Sequence, residues 1–281
     1  MKRSLIVTGD DFGFSRGVNR AIIEAHERGI LTSASLMVTG EAFEEAVELA
    51  RARPTLAVGL HLVVVAGRAV LRPLEIPHLV EATGRFAQGP VRLGLRYQFS
   101  RAAREELRRE IQAQLAMFRA TGLPLSHVDG HLHMHMHPVV LGIVVELADE
   151  FGIRAIRLPS EELGLALALD RRQILTKCLW AWIFQRLRRA GERRLTAAGL
   201  AYPERVYGLL TTGRLTESYL LGLIPQIRAN RVEIYAHPAH ELADEPRNGP
   251  PGAGPAELLA LVSDRVRAAL ALHGFELARY S

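Results

Sequence analysis

Short β-type runs alternate with longer helical patterns along nearly the whole chain, and few architectures accept that alternation. The strand candidates are residues 4–8, 34–38, 56–62, 126–131, 153–158, 206–210, 232–236 and 275–279. Between them, apolar residues recur at three- and four-residue spacing near 17–28, 41–51, 101–121, 139–150, 171–189, 216–228 and 255–272. Gly29, Gly122, Gly152 and Gly274 stand just past helix ends, where a C-terminal cap is expected. Strand–helix alternation argues for a parallel sheet covered by helices. Seven or eight such units in 281 residues fit a distorted, closed β/α barrel better than an open sheet, read as one domain over 1–281. Residues 65–97 break the pattern. They are rich in glycine and proline and read as an irregular loop or insertion over the active-site face.

Composition narrows the class. The single cysteine, Cys178, excludes an internal disulfide and fits a reducing cytoplasm; lying in an apolar run, it reads as a small buried hydrophobe. The apolar run after Met1 turns polar at Thr8, too soon for a signal peptide, and no stretch reaches the ~18–20 apolar residues that span a bilayer. The expectation is a cytoplasmic protein, soluble or peripheral at the inner membrane face. The formal charge is +5, and only Lys2 and Lys177 are lysines. Arginine suits phosphate or anionic lipid. No aromatic stacking motif or known module supports nucleic-acid binding.

In such a barrel, function sits where strands end. Four strand candidates deliver titratable groups there: Asp10 and Asp11 after the first, His61 after 58–60, a histidine run from His127, and His237 after 234–236. The run from His127 to Pro138 holds five of the eleven histidines, and with Asp129 they occupy alternate positions. Alternate residues of a strand lie ~6.6–6.8 Å apart. A metal–nitrogen bond is only ~2.0–2.1 Å, so one strand cannot wrap five imidazoles round one ion. His131, at the expected strand end, is the ligand of choice. Asp129 and His133 become orienting or substrate groups, and His127 a structural one. His135 and His137 lead into a helix that Pro138 can start. Asp10-Asp11 alone would read as a turn; both can face one site only if the strand has ended, which Gly9 and Gly13 would allow. His61 alone would read as a hydrogen-bonded core histidine, and His237 as a loop residue beside His240. Together, Asp11, His61 and His131 would leave coordination positions for water, as in a hydrolytic centre, with Asp10 as base and His237 as acid. Zn, Mn, Co or Mg suits that donor set; one divalent ion, Mg or Zn, is expected.

These residues resemble the YdjC-like carbohydrate deacetylases. The matching pieces are Thr8-Gly9-Asp10-Asp11-Phe12-Gly13, Gly59-Leu60-His61-Leu62, His127-Val128-Asp129-Gly130-His131 and Glu233-Ile234-Tyr235-Ala236-His237-Pro238, in family order. The resemblance implies a distorted β/α barrel, a divalent metal on one Asp and two His, and hydrolysis of an N-acetyl group from an amino sugar. It carries over to Asp11, His61 and His131 as ligands, Asp10 as base and His237 as acid. The run Leu62-Val63-Val64-Val65 lacks the polar residue common in the family, which argues against a soluble chito-oligosaccharide. The segment 199–204, with Gly208 and Thr212-Gly213-Arg214, resembles the hopanoid-biosynthesis branch, which implies an N-acetylglucosaminyl hopanoid. Residues 171–194 mix an apolar centre, both tryptophans and eight cations. They read either as an outer barrel helix with a solvated basic face or as a peripheral membrane contact. A metal-dependent phosphoesterase, a metal-binding protein without turnover and a homodimer stay open.

Overall fold

The computed structural model describes residues 3–280. Among the described residues seven parallel strands form one sheet: β1 (Arg3–Phe12), β2 (Ser33–Leu36), β3 (Ala57–Leu62), β4 (Leu125–Gly130), β5 (Arg205–Tyr207), β6 (Arg231–Ala236) and β7 (Phe275–Ala278). The order is β4-β3-β2-β1-β6-β5, with β7 also on β1. β1 is the longest strand and shares one edge: its first residues, from Arg3 to Ile6, pair with β7, and those from Thr8 to Phe12 pair with β2. Eleven helices surround the sheet: α1 (Arg16–Arg28), α2 (Phe43–Arg51), α3 (Pro90–Phe99), α4 (Arg101–Ala120), α5 (Pro138–Glu146), α6 (Ala148–Phe151), α7 (Leu163–Leu169), α8 (Ile174–Ala197), α9 (Glu217–Leu223), α10 (Ala253–Leu261) and α11 (Asp264–Leu272). Ser15, Ser100, Thr216 and Ser263 cap α1, α4, α9 and α11 by accepting a backbone N–H three residues on.

The eighth expected strand, 153–158, is not a strand. It makes single bridges only, Val128 to Ile156 and Ala155 to Ala201, while Ser160 bridges Val206. These pairings span the gap between β4 and β5. The physical reason is local: Arg157 turns a charge into the molecule, and Pro159 has no N–H for a ladder. The expected strand 206–210 stops at Tyr207, because Gly208 takes φ +124°. Ser263 divides the expected helix 255–272, and Pro225 turns the end of 216–228 into a 3-10 segment. Gly122, Gly152 and Gly274 have positive φ, as caps do; Gly29 does not, and is small because a Cβ there would lie 2.4 Å from the Leu261 carbonyl oxygen.

Residues 65–97 are less irregular than expected, since α3 begins at Pro90. They are fastened to α4: buried Glu110 accepts the N–H groups of Val70 and Leu71, and Gln114 brackets Val63 with bonds to its N–H and C=O. Tyr97 donates to the Val64 carbonyl at 2.6 Å. The lobe packs on Ile76, Leu79 and Phe86 and supplies no residue of the cavity described next.

Candidate metal centre and its cavity

At the C-terminal end of the sheet, β1 bulges. Gly9 pairs with Ala34 and Phe12 with Leu36, so three steps on β1 face two on β2. Asp11 takes a left-handed φ of +63°, a conformation Asp tolerates better than most side chains. This corrects the expectation that the strand must already have ended. β1 runs on to Phe12, and the bulge brings both Asp10 and Asp11 to one cavity.

Asp11, His61 and His131 converge there. Asp11 Oδ1 lies 3.2 Å from His131 Nδ1 and 3.3 Å from His61 Nε2, and one ligand atom from each lies within 4.8 Å of the others. Asn248 donates to Asp11 Oδ2 at 3.3 Å. His61 Nδ1 meets Asp129 Oδ1 at 2.8 Å, which leaves Nε2 for an ion. Asp129 Oδ2 in turn accepts from Ser35 Oγ and Arg157 Nη1, both at 2.7 Å. A second overlapping group, Asp10, His61 and Asp129, meets the same distance limit, but hydrogen bonds already occupy its carboxylates.

Arg157 was not singled out by the sequence, and it is the hub. Fully buried, it grips Asp10 with two bonds of 2.7 and 2.8 Å and reaches Glu233 Oε1 at 2.8 Å. Thr8 and Tyr280 also donate to Glu233, at 2.7 and 2.6 Å. The one signal available was a charge inside an apolar strand-like run. Asp10, Asp129 and Glu233 are buried against this guanidinium, and Asp11 is buried against His61 and His131. Such an excess of negative charge with nitrogen donors beside it fits a divalent cation.

The protonation states follow from the packing. Burial opposes charge on His61, but Asp129 and Asp11 overcome it and push the imidazole up to about 10. Burial likewise works against the Asp11 carboxylate, yet His131 and His61 hold it well below the usual range. Burial, then the neighbouring His135 and Arg157, keeps His133 neutral. Burial lowers His135 to about 4.

The histidine run leaves the strand at once. Leu132 and His133 both have left-handed φ, and residues His131–Met136 form a 3-10 segment. His131 therefore faces Asp11, whereas His133 Nε2 meets the Tyr235 hydroxyl at 2.7 Å and His135 bonds the Arg157 carbonyl at 3.0 Å. His127 stacks on Tyr280 and meets Ser35; His137 caps α5. His237 also lines the cavity. Its backbone N–H donates to buried Glu257 at 2.6 Å, and its Nδ1 lies 4.0 Å from the same carboxylate. His240 instead pairs with Glu24 at 3.0 Å.

The cavity holds about 380 Å³. Asp10, Asp11, His61, His131 and His237 are among its polar lining residues, and Leu132, Trp180, Leu209 and Leu210 among its apolar ones.

A model of the family described as YdjC-like protein matches residues 4–272. The chain belongs to the YdjC-like family. It is 34% identical over 242 residues to a carbohydrate deacetylase of Geobacillus stearothermophilus, covering 85% of this chain and 81% of that one. A Brevibacillus brevis carbohydrate deacetylase is 48% identical over 149 residues, where the match spans 53% of this chain and only 57% of the relative's length. The fold is that of an Enterococcus faecalis protein provisionally assigned to cellobiose-phosphate cleavage, with a TM-score of 0.75, 24% identity, and coverage of 100% of this YdjC-like chain and 98% of the other.

Proposed function

We propose that this YdjC-like protein is a metal-dependent deacetylase that hydrolyses the N-acetyl group of an N-acetylglucosamine-containing glycoconjugate. The observation that carries the reading is the convergence of Asp11, His61 and His131 in the lining of a cavity that Asp10 and His237 also line. A divalent ion held by those three residues would polarise the acetamide carbonyl and acidify water. The chain does the rest. Arg157 holds the Asp10 carboxylate in a two-point grip, with lone pairs left to take the proton of the attacking water. Oxygen adds to the carbonyl carbon. As the C–N bond breaks, His237 gives its proton to the departing sugar amine, and acetate leaves. Asp129 sets the tautomer of His61, and His133 with Tyr235 stands beside the substrate space.

The finer substrate reading is a membrane-presented glycolipid, an N-acetylglucosaminyl hopanoid. Leu132, Trp180, Leu209 and Leu210 in the cavity lining favour an apolar group beside the sugar. A soluble chito-oligosaccharide is the alternative.

The test is acetate release by metal-stripped protein with Mg or Zn added back singly, on chitobiose-type sugars and on the hopanoid glycolipid. Metal-dependent acetate release is expected, faster on the lipid. Asp11→Ala or His61→Ala should abolish it; full turnover in either would sink the mechanism. No acetate from any substrate with metal bound would sink the deacetylase reading.

A further inference from the structure

Helix α8 carries the segment for which the sequence leaves two readings open. Its inner face is packed, through Phe184, Arg188, Gly191 and Leu195. Its outer face is not merely basic. Leu175, Leu179 and Trp182, at helical spacing, are 85%, 55% and 55% exposed, and Ile183 beside them is exposed too. Arg186, Arg189 and Arg193 continue the same face and are exposed, and among the described residues none has a carboxylate at ion-pair distance. The Arg186 guanidinium lies over the Trp182 ring at 4.4 Å. An apolar centre bordered by unpaired cations is the pattern of a helix lying in a bilayer interface.

The same helix walls the cavity: Thr176, Lys177 and Trp180, from its first turns, line it with Gln173 just before them. We propose that the outer face of α8 docks on an anionic membrane surface, which sets the cavity mouth at headgroup level. The arginines select the occupant, because they complement anionic headgroups while leucine and tryptophan enter the acyl boundary. Docking stands apart from the chemistry proposed above; only its consequence, a lipid-linked substrate, rests on that reading.

The experiment is flotation of the full chain with vesicles of equal parts phosphatidylglycerol and phosphatidylcholine, or of phosphatidylcholine alone, at low and high salt. Wild type should float with the anionic vesicles and lose binding as salt rises. Leu175→Ser/Leu179→Ser/Trp182→Ser and, separately, Arg186→Glu/Arg189→Glu/Arg193→Glu should each cut partitioning by roughly tenfold or more. Both variants should keep the wild-type melting temperature and any hydrolysis of a soluble N-acetylated sugar. Absence of flotation, or variants that float like wild type, would overturn the proposal. So would a wild-type dimer that the triple leucine–tryptophan variant splits, since the face would then belong to a second copy. Flotation without acetate release from any substrate would leave docking standing and remove the chemistry.

Discussion

Four carboxylates and one guanidinium lie buried together under the cavity, and Arg157 touches Asp10, Asp129 and Glu233. Removing it strands three charges in a dry interior. Arg157→Ala should therefore cost roughly 3–5 kcal/mol of stability, measured by denaturant unfolding. Arg157→Lys keeps a charge but cannot make the two-point grip on Asp10, so turnover should fall further than metal affinity. His61 controls the pH response. Burial opposes its charge, but Asp129 and Asp11 raise it to about 10, so near neutrality the metal-free imidazole carries both protons. An ion must displace one of them. Metal affinity should rise with pH, about tenfold per unit below that value, with about one proton released per ion. Calorimetry in buffers of different ionisation enthalpy measures the release. In the metal-free chain the same shift stabilises fully below the unfolded value of 6.5 and is lost as pH rises through about 10, so chelator-treated protein should melt lower as pH climbs from neutrality.

Between elements, spacing decides. β3 and β4 lie so close at Gly59 that a Cβ would sit 2.4 Å from the His127 ring and 2.6 Å from the His127 carbonyl oxygen. The backbone oxygen cannot move without the strand. Gly59→Ala should cost about 1–3 kcal/mol and displace His61, two residues on, so that metal affinity falls as well. Thermal unfolding with and without metal separates the two effects. The β1 bulge works at the same scale. It is built from Asp11's left-handed φ and the shift of register against β2, and neither is a property of the residue alone.

At the scale of the molecule, the three proposed ligands come from β1, β3 and the turn after β4. An ion there would join distant parts of the chain. If it binds only the folded form, a hundredfold excess over its dissociation constant should add about 2.7 kcal/mol, and chelation should lower the melting temperature accordingly. An unchanged melting temperature on chelation would argue against the site. Among the described residues no helix is long and apolar enough to cross a membrane.

The sequence by itself determined the alternation of strands and helices that makes a parallel sheet: apolar periods of two and of three to four are local, and a few neighbouring residues suffice to set them. It also placed Asp10, Asp11, His61, His131 and His237 at strand ends. Only the tertiary structure decided that 153–158 would bridge rather than pair, that Asp10 would be held by Arg157, 147 residues away, and that Glu233, Ser35, Asn248 and Glu257 would stand round the centre. It also decided which side of α8 would face outward. A buried charge is tolerated only by the partners that the folded sheet brings to it, and those partners lie too far along the chain for any local pattern to announce them.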